Sequence, residues 1–231
     1  MGKLTQADLD RLLDQTFYGW DTTTMLSGVI DFLEFSESNL SWQRRREMRK
    51  AKHEGDTAKF EPEDEYLEGS YLQHLIENVE YWFDVSLSQR VRYAGLVALV
   101  TSLEWCSKGL TKQFTRKPPK TPNKENRHIN FLAHLDQLSS SGFGAHIDHL
   151  KKLVLVRDCV VHSAGFLEGQ KYDKDIREAV KSLKGFSIWN ENYLGTSVHI
   201  EKGAIEKYAT TAKEWVPKLV ERCVKGGLIK G

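Results

Sequence analysis

The chain has 231 residues, of which 40% are hydrophobic and 28% are charged, and its formal net charge is +1. This length and apolar content are enough for one domain with a sizeable core. A net charge so close to zero excludes a strong global attraction to polyanions, so any nucleic-acid binding requires a local basic patch.

The three cysteines and the length of the apolar segments indicate the cellular compartment. Cys106, Cys159 and Cys223 are too widely spaced for a zinc knuckle or a disulfide framework. The first residues contain no apolar signal region, and the most hydrophobic segment, residues 93–100, is far shorter than the roughly 20 residues of a membrane span. We therefore expect a cytoplasmic protein with reduced thiols and no membrane association.

Residues 1–60 are predicted to form N-terminal helices that pack on a main domain over residues 61–231. Apolar periodicity predicts a short helix over residues 5–15, a break at Gly19 and a second helix from Asp21 to about Gly55. The second helix contains a basic run at residues 44–52, which begins two residues after Trp42.

Arginines in such a run can grip RNA phosphates, although a solvated helix face is the commoner role. The RNA-binding candidates are Arg44, Arg45, Arg46 and Arg49, together with Lys151 and Lys152 later in the chain.

Two further helices are predicted before the middle of the chain. One begins at the acidic, proline-containing segment 61–65, and the next begins near Ser86 or Ser88. The second helix has an apolar stripe that identifies it as the central core helix: Leu96, Leu99, Leu103, Cys106 and Leu110. Glu104 lies close to an apolar face of this helix. We expect it to pair with Arg157 or to serve in a site, with an exposed edge position as the alternative.

A loop and a short helix precede the most informative segment. Residues 115–126 contain three prolines among polar residues and are predicted to be a loop. Residues 127–139 form a short helix, and another helix begins near Ala145. In this helix Arg157 occupies a place in the apolar series where a core side chain is expected, so it requires a partner if it is buried.

Asp158 and His162 share a different face of the same helix, because they are four residues apart. Arg157 and His162 are five residues apart, which places them about 140° from each other around the helix. These two side chains are therefore expected to lie on either side of one region of the helix surface, without stacking on each other.

The run Arg157-Asp158-Cys159-Val160-Val161-His162 resembles the signature of the HEPN superfamily, which reads Arg, a polar residue, three residues and His. Members are all-helical domains found in RNA-cleaving toxins and in abortive-infection and antiviral systems. Residues 163–166, Ser-Ala-Gly-Phe, also resemble the small, glycine-containing helix exit of the family. A weaker similarity covers roughly residues 86–225. Asn is the more familiar residue where this chain has Asp158.

The resemblance implies a metal-independent endoribonuclease without a cofactor. His162 would be the acid or base and Arg157 the phosphate clamp, while Asp158 would orient one of the two; Glu104 and Ser163 are supporting candidates. Family sites commonly form where two copies meet, so a homodimer is expected. A toxin or phage-defence role, with an antitoxin or another regulatory protein as partner, is also implied.

The C-terminal third is predicted to contain a helix over residues 171–184 and a small antiparallel hairpin around residues 190–195, built on Phe186, Ile188, Tyr193, Val198 and Ile200. A last helix begins at Gly203. The predicted fold is thus all-α, a helical bundle of the HEPN type with a small β-hairpin near the C-terminal helix.

Two other functions fit the same residues. One is a non-catalytic HEPN-like module that binds RNA, a nucleotide or a partner protein, and the other is a plain structural bundle in which Arg157 forms an ion pair. A metal site is disfavoured: His146 and His149 are three residues apart, but only Asp148 and the distant His128 and His134 could complete the ligand set.

Overall fold

The computed structural model describes residues 6–58, 65–116, 127–191 and 195–229. In these ranges the chain is mostly helical, with one two-stranded sheet near the C-terminus. The elements in chain order are α1 (Gln6–Thr57), α2 (Glu65–Glu80), a π-helical segment (Tyr81–Leu87), α3 (Ser88–Gln113), α4 (Arg127–Ser139), α5 (Gly144–Ser163), α6 (Asp173–Ser182), β1 (Phe186–Glu191), β2 (Gly195–Ile200) and α7 (Ala204–Lys225).

The helices before residue 113 are more continuous than predicted. The break expected at Gly19 is wrong, because α1 runs through this residue without interruption. One glycine inside a helix costs about 1 kcal/mol relative to alanine, which a long helix can absorb. α3 begins at Ser88, one of the two predicted starts, and follows α2 directly through the π-helical segment.

Several expectations lie outside the described residues: the helix start at 61–64, most of the proline-containing loop (117–126) and Tyr193 of the hairpin. The remaining later elements agree with the predictions. α4 has the predicted bounds, and the hairpin is antiparallel, with Phe186 opposite Ile200.

The chain divides into two compact units, and the predicted domain boundary at residue 60 falls inside one of them. The first unit contains the chain up to Ile30 and from Gly95 onward, and the second contains Asp31–Ala94. Both boundaries lie within helices, α1 and α3, rather than in linkers. The boundary at residue 60 was placed between a predicted helix end near Gly55 and a predicted helix start at residues 61–65, and the structure has α1 ending at Thr57 and α2 beginning at Glu65.

The second unit is a helical hairpin held by polar contacts. Arg92 Nε donates a hydrogen bond to the buried carboxylate of Glu37 (2.8 Å). Arg44 Nε donates one to the exposed carboxylate of Asp84 (2.9 Å). Near the end of α1, Gly55 lies so close to Leu72 that an added Cβ would be 2.5 Å from the Leu72 Cδ1 atom. Positions 37, 44 and 55 of α1 thus meet positions 92, 84 and 72 of the returning chain, so the two arms are antiparallel.

The first unit has a core built on the predicted stripe of α3. Its five members are all buried, between 0% and 3% exposed: Leu96, Leu99, Leu103, Cys106 and Leu110. α5 and α7 contribute buried side chains at helical spacing as well, so all three helices supply the core of this unit. Within the described ranges, no helix is both long and apolar enough to cross a bilayer.

Candidate active site

The segment that leaves α5 has a fixed path. Ala164 and Gly165 have positive φ values of 53° and 89°, which ends the helix directly after the motif. Left-handed residues are a common helix stop, and glycine adopts this conformation without strain. The Gly165 carbonyl then accepts a hydrogen bond from the Val198 N–H on β2 (3.0 Å). The hairpin thus fixes the backbone just after His162.

Beside the motif lies a cleft of about 540 Å³. Its walls come from α3, from the second half of α5 and from residues 170–176 at the start of α6. The acidic and basic side chains that line it are Glu104, Arg157, Asp158, His162, Lys171 and Asp175. Three carboxylates therefore face two permanent cations, so the cleft is not basic overall when His162 is neutral.

Arg157 is held by carboxylates from two helices. Its Nη2 donates a hydrogen bond to Glu104 Oε1 (2.7 Å), and its Nη1 lies 3.5 Å from Oε2 of the same carboxylate. Arg157 Nε is 2.8 Å from Asp158 Oδ1, but the N–H is not directed at that oxygen, so this contact is an ion pair without a hydrogen bond. The Arg157 and Glu104 side chains are 17% and 27% exposed, which shields the pair from bulk solvent. The predicted pairing of Glu104 with Arg157 is present.

His162 is exposed and lines the same cleft from the last turn of α5. Its ring makes no hydrogen bond to any residue that the structure describes. Asp158, which was expected to orient either His162 or Arg157, contacts Arg157. The imidazole is therefore free to bind a ligand in the cleft.

Lys171 and Tyr172 belong to the cleft but were not among the predicted site residues. The Lys171 ammonium lies 4.9 Å from the centre of the Tyr172 ring, and Tyr172 is 40% exposed. They stand opposite the motif only because the chain turns back after Gly165. A tertiary contact of this kind leaves no local signal in the sequence, apart from a basic and an aromatic residue together in a polar loop.

Ser163 does not line the cleft. Its hydroxyl oxygen is 2.7 Å from the carbonyl oxygens of Cys159 and Phe166. Because a hydroxyl has one proton, it donates to one carbonyl at a time. Ser163 therefore satisfies the polar groups that the helix end leaves open, and its predicted role as a supporting site residue stays a prediction.

Neither of the predicted RNA-binding lysines lines the cleft. Lys151 forms an ion pair with Asp148 (3.2 Å), on the same face of α5 as Asp158 but about two turns earlier. Lys152 is half-buried.

The basic run on α1 lies in the other compact unit. Arg44 is neutralised there by Asp84 and Glu80, whereas Arg45, Arg46 and Arg49 are exposed. The Arg46 guanidinium lies 5.9 Å from the centre of the Trp42 ring. Three exposed arginines beside an exposed tryptophan make this the stronger of the two predicted basic patches.

The described residues contain no group of three or more His, Cys, Asp or Glu side chains that could hold a metal ion. All three thiols are buried, and burial raises the pKa of Cys106, Cys159 and Cys223. None of them has the exposed, electropositive setting of a reactive thiolate.

No family model, curated protein or solved structure matches the chain. The HEPN resemblance therefore rests on the residues of the motif and its helix exit.

Proposed function

We propose that this chain is a metal-independent endoribonuclease of the HEPN type, with its active site in the cleft beside Arg157 and His162. One observation carries the proposal: both side chains line one cleft, although they lie about 140° apart around α5. A phosphodiester bound in this cleft could then contact the cation and the imidazole together.

The reaction proposed is transesterification at the ribose 2′-hydroxyl. A base removes the hydroxyl proton, the 2′-oxygen bonds to the adjacent phosphorus, and the bond from phosphorus to the 5′-oxygen breaks. An acid protonates that leaving oxygen, so the products end in a 2′,3′-cyclic phosphate and a 5′-hydroxyl. An imidazole can take either role and typically contributes about 10²- to 10⁴-fold to the rate.

Arg157 is proposed to bind the scissile phosphate, whose charge its planar guanidinium fork can hold with two hydrogen bonds. A phosphate must first replace one of its carboxylate partners. Asp158 is the easier one to displace, because it is 51% exposed and forms no hydrogen bond with Arg157 Nε. Glu104 would stay in place and hold the guanidinium from the other side.

The second catalytic group is proposed to come from a second copy of the chain. One imidazole cannot supply the base and the acid in the same step, whereas a homodimer brings two His162 rings to the RNA. Tyr172 would offer its exposed ring for stacking by a base. A cytoplasmic toxin or phage-defence effector, restrained by an antitoxin or another regulatory protein, is the role that we propose for such an enzyme.

The test is incubation of the purified chain with a mixed RNA pool in EDTA, with the product ends analysed. We expect cleavage that leaves 2′,3′-cyclic phosphate, no cleavage of the matching DNA, and loss of activity in His162→Ala. His128→Ala removes an imidazole outside the cleft and is the matched control. Equal cleavage by parent and His162→Ala would show that the activity comes from elsewhere.

A second function, a non-catalytic module that binds RNA, a nucleotide or a partner protein, is favoured by the two carboxylates on Arg157. An enzyme that needs this guanidinium for phosphate loses binding energy when it must displace one of them. Fluorescence anisotropy with a labelled RNA distinguishes the two functions. Binding that weakens in Arg157→Ala, with the bound RNA left intact, would favour the module.

A further inference from the structure

The first unit has a second cavity, of about 310 Å³, which is open to solvent on one side and lined by α3, α5, α7 and the turn before β1. Its floor is apolar and belongs to the core. Leu99, Leu103, Leu150 and Leu153 line it with exposures of 0% to 3%, and Trp215 is 4% exposed. This volume is at the lower end of the range for small-molecule sites, which combine such a floor with a few polar groups.

The polar groups around this cavity can all donate hydrogen bonds, and no carboxylate is among the described residues that line it. Lys184 and Lys207 are exposed and line the cavity. Neither of them forms an ion pair within the described parts of the chain. Two cations without a counter-ion next to an apolar floor favour a ligand with a negative head and an apolar body.

His146 and His149, which the sequence offered as possible metal ligands, line the same cavity. His146 is stacked on Trp215, with ring planes 4° apart, and His149 meets the edge of Tyr208. Neither imidazole makes a hydrogen bond to another described residue. Each ring is thus held in place by aromatic contacts while its nitrogens stay available.

Tyr208 completes the set of donors. Its hydroxyl oxygen accepts a hydrogen bond from the Lys184 backbone N–H (2.9 Å), while its own proton has no acceptor among the described residues. Burial raises the pKa of Tyr208, so this proton is retained at neutral pH. A hydroxyl in this state can donate to an anionic oxygen.

We propose that this cavity binds a small apolar carboxylate. The alkyl or aryl body would lie against the leucines and Trp215, and the carboxylate would accept hydrogen bonds from Tyr208 and pair with Lys184 and Lys207. A bulky nucleotide fits less well, because the floor is leucine and the volume is small. The site is separate from the cleft beside Arg157 and does not depend on the ribonuclease proposal.

The test is calorimetric titration of the full chain with octanoate, alongside octylamine and octanol, which keep the chain length and change the head group. We expect saturable binding of one octanoate per chain, about tenfold tighter than that of octylamine. Equal affinity for octanoate and octylamine, or no saturable binding of octanoate, would overturn the proposal.

Charge reversal checks where the octanoate binds. Lys207→Glu should weaken binding of octanoate by about tenfold, because it replaces an attraction with a repulsion. Lys218→Glu makes the same change on α7 at an exposed position that does not line the cavity, and it should leave the affinity unchanged. Equal losses in the two variants would mean that only the net charge matters, and the cavity would not be the site.

Discussion

The guanidinium of Arg157 and the carboxylate of Glu104 form a hydrogen-bonded ion pair between α5 and α3, with Nη2 and Oε1 2.7 Å apart. Neither side chain is more than about a quarter exposed, so each depends on the other for most of its polar contacts. Removal of one partner leaves a charge in a poorly solvated place, which costs more than the pair contributes.

We therefore expect Arg157→Ala to lower the free energy of unfolding by about 2–3 kcal/mol, somewhat less than for a fully buried pair. Glu104→Ala should cost about 1–2 kcal/mol, because Arg157 keeps its contact with Asp158. Urea denaturation of both single variants and of the double variant measures the coupling. Additive effects in the double variant would contradict a direct interaction.

Glu104 also sets the charge of the cleft, which gives a test of RNA binding. Glu104→Gln keeps the shape of the side chain and removes one of the three carboxylates that line the cleft. If Arg157 binds phosphate, this variant should bind RNA several-fold more tightly at low salt. Glu214→Gln removes a charge from an exposed position on α7 and is the control. An affinity that is unchanged by Glu104→Gln but raised by added salt would contradict a phosphate site at Arg157.

Tyr172 should contribute to RNA binding through its ring and not through its hydroxyl. Stacking of a base on an exposed aromatic ring is worth about 1–3 kcal/mol. Tyr172→Ala is expected to weaken binding by that amount, while Tyr172→Phe should bind as the parent does. Because Tyr172 is 40% exposed, neither change should alter the melting temperature much. Fluorescence anisotropy with a short single-stranded RNA measures both affinities.

The buried thiols give a prediction on pH. Burial raises the pKa of Cys106, Cys159 and Cys223 in the folded chain, so the folded state keeps protons that the unfolded state loses at alkaline pH. The stability that these thiols contribute is therefore fully present below about pH 8.5, the ordinary pKa of cysteine, and falls as the pH rises above it. Replacing Cys159 with alanine should reduce this loss of stability at alkaline pH, measured by denaturation curves at several pH values.

A thiol reagent should also react with the native chain far more slowly than with the chain unfolded in urea, because the three thiols are buried.

Gly55 is required by the packing of the helical hairpin. A Cβ at this position would lie 2.5 Å from Cδ1 and 3.1 Å from Cβ of Leu72, so Gly55→Ala should destabilise the hairpin by about 1–3 kcal/mol. Gly69 lies in α2 of the same unit with open space around it, and Gly69→Ala should be neutral or stabilise by up to about 1 kcal/mol. Thermal denaturation of the two variants compares them directly. A stabilised Gly55→Ala would mean that Leu72 moves away easily.

Periodicity predicted the parts of the fold that depend on single helices. The buried stripe of α3, the bounds of α4 and the ion pair of Glu104 with Arg157 all follow from residue spacing. A charge on an apolar helix face needs an oppositely charged partner when it is buried, so two such charges in distant segments could be predicted to pair.

The features that were missed depend on contacts between elements. Lys171 and Tyr172 enter the cleft because of the turn after Gly165, and no local pattern marks them. Gly19 was expected to interrupt α1, although helix propensity is a weak guide where the rest of the segment is helical. The cavity next to Trp215 depends on three helices at once, so its histidines were considered only as metal ligands.

The π-helical segment Tyr81–Leu87 determines how far apart around the helix axis Asp84 and Arg92 point, and each of them forms an ion pair of the hairpin. Asp84 lies within it and pairs with Arg44, while Arg92 lies just after it and pairs with Glu37. Each π turn takes one more residue than an α turn, so loss of a single residue here would allow a regular α-helix to form. The direction of Arg92 would then change little, because the lost residue and the tighter α turn compensate each other. We therefore expect a one-residue deletion in residues 85–87 to keep the pair of Arg92 with Glu37, whereas a one-residue deletion in residues 88–91 of α3, which turns Arg92 by about 100°, should break it.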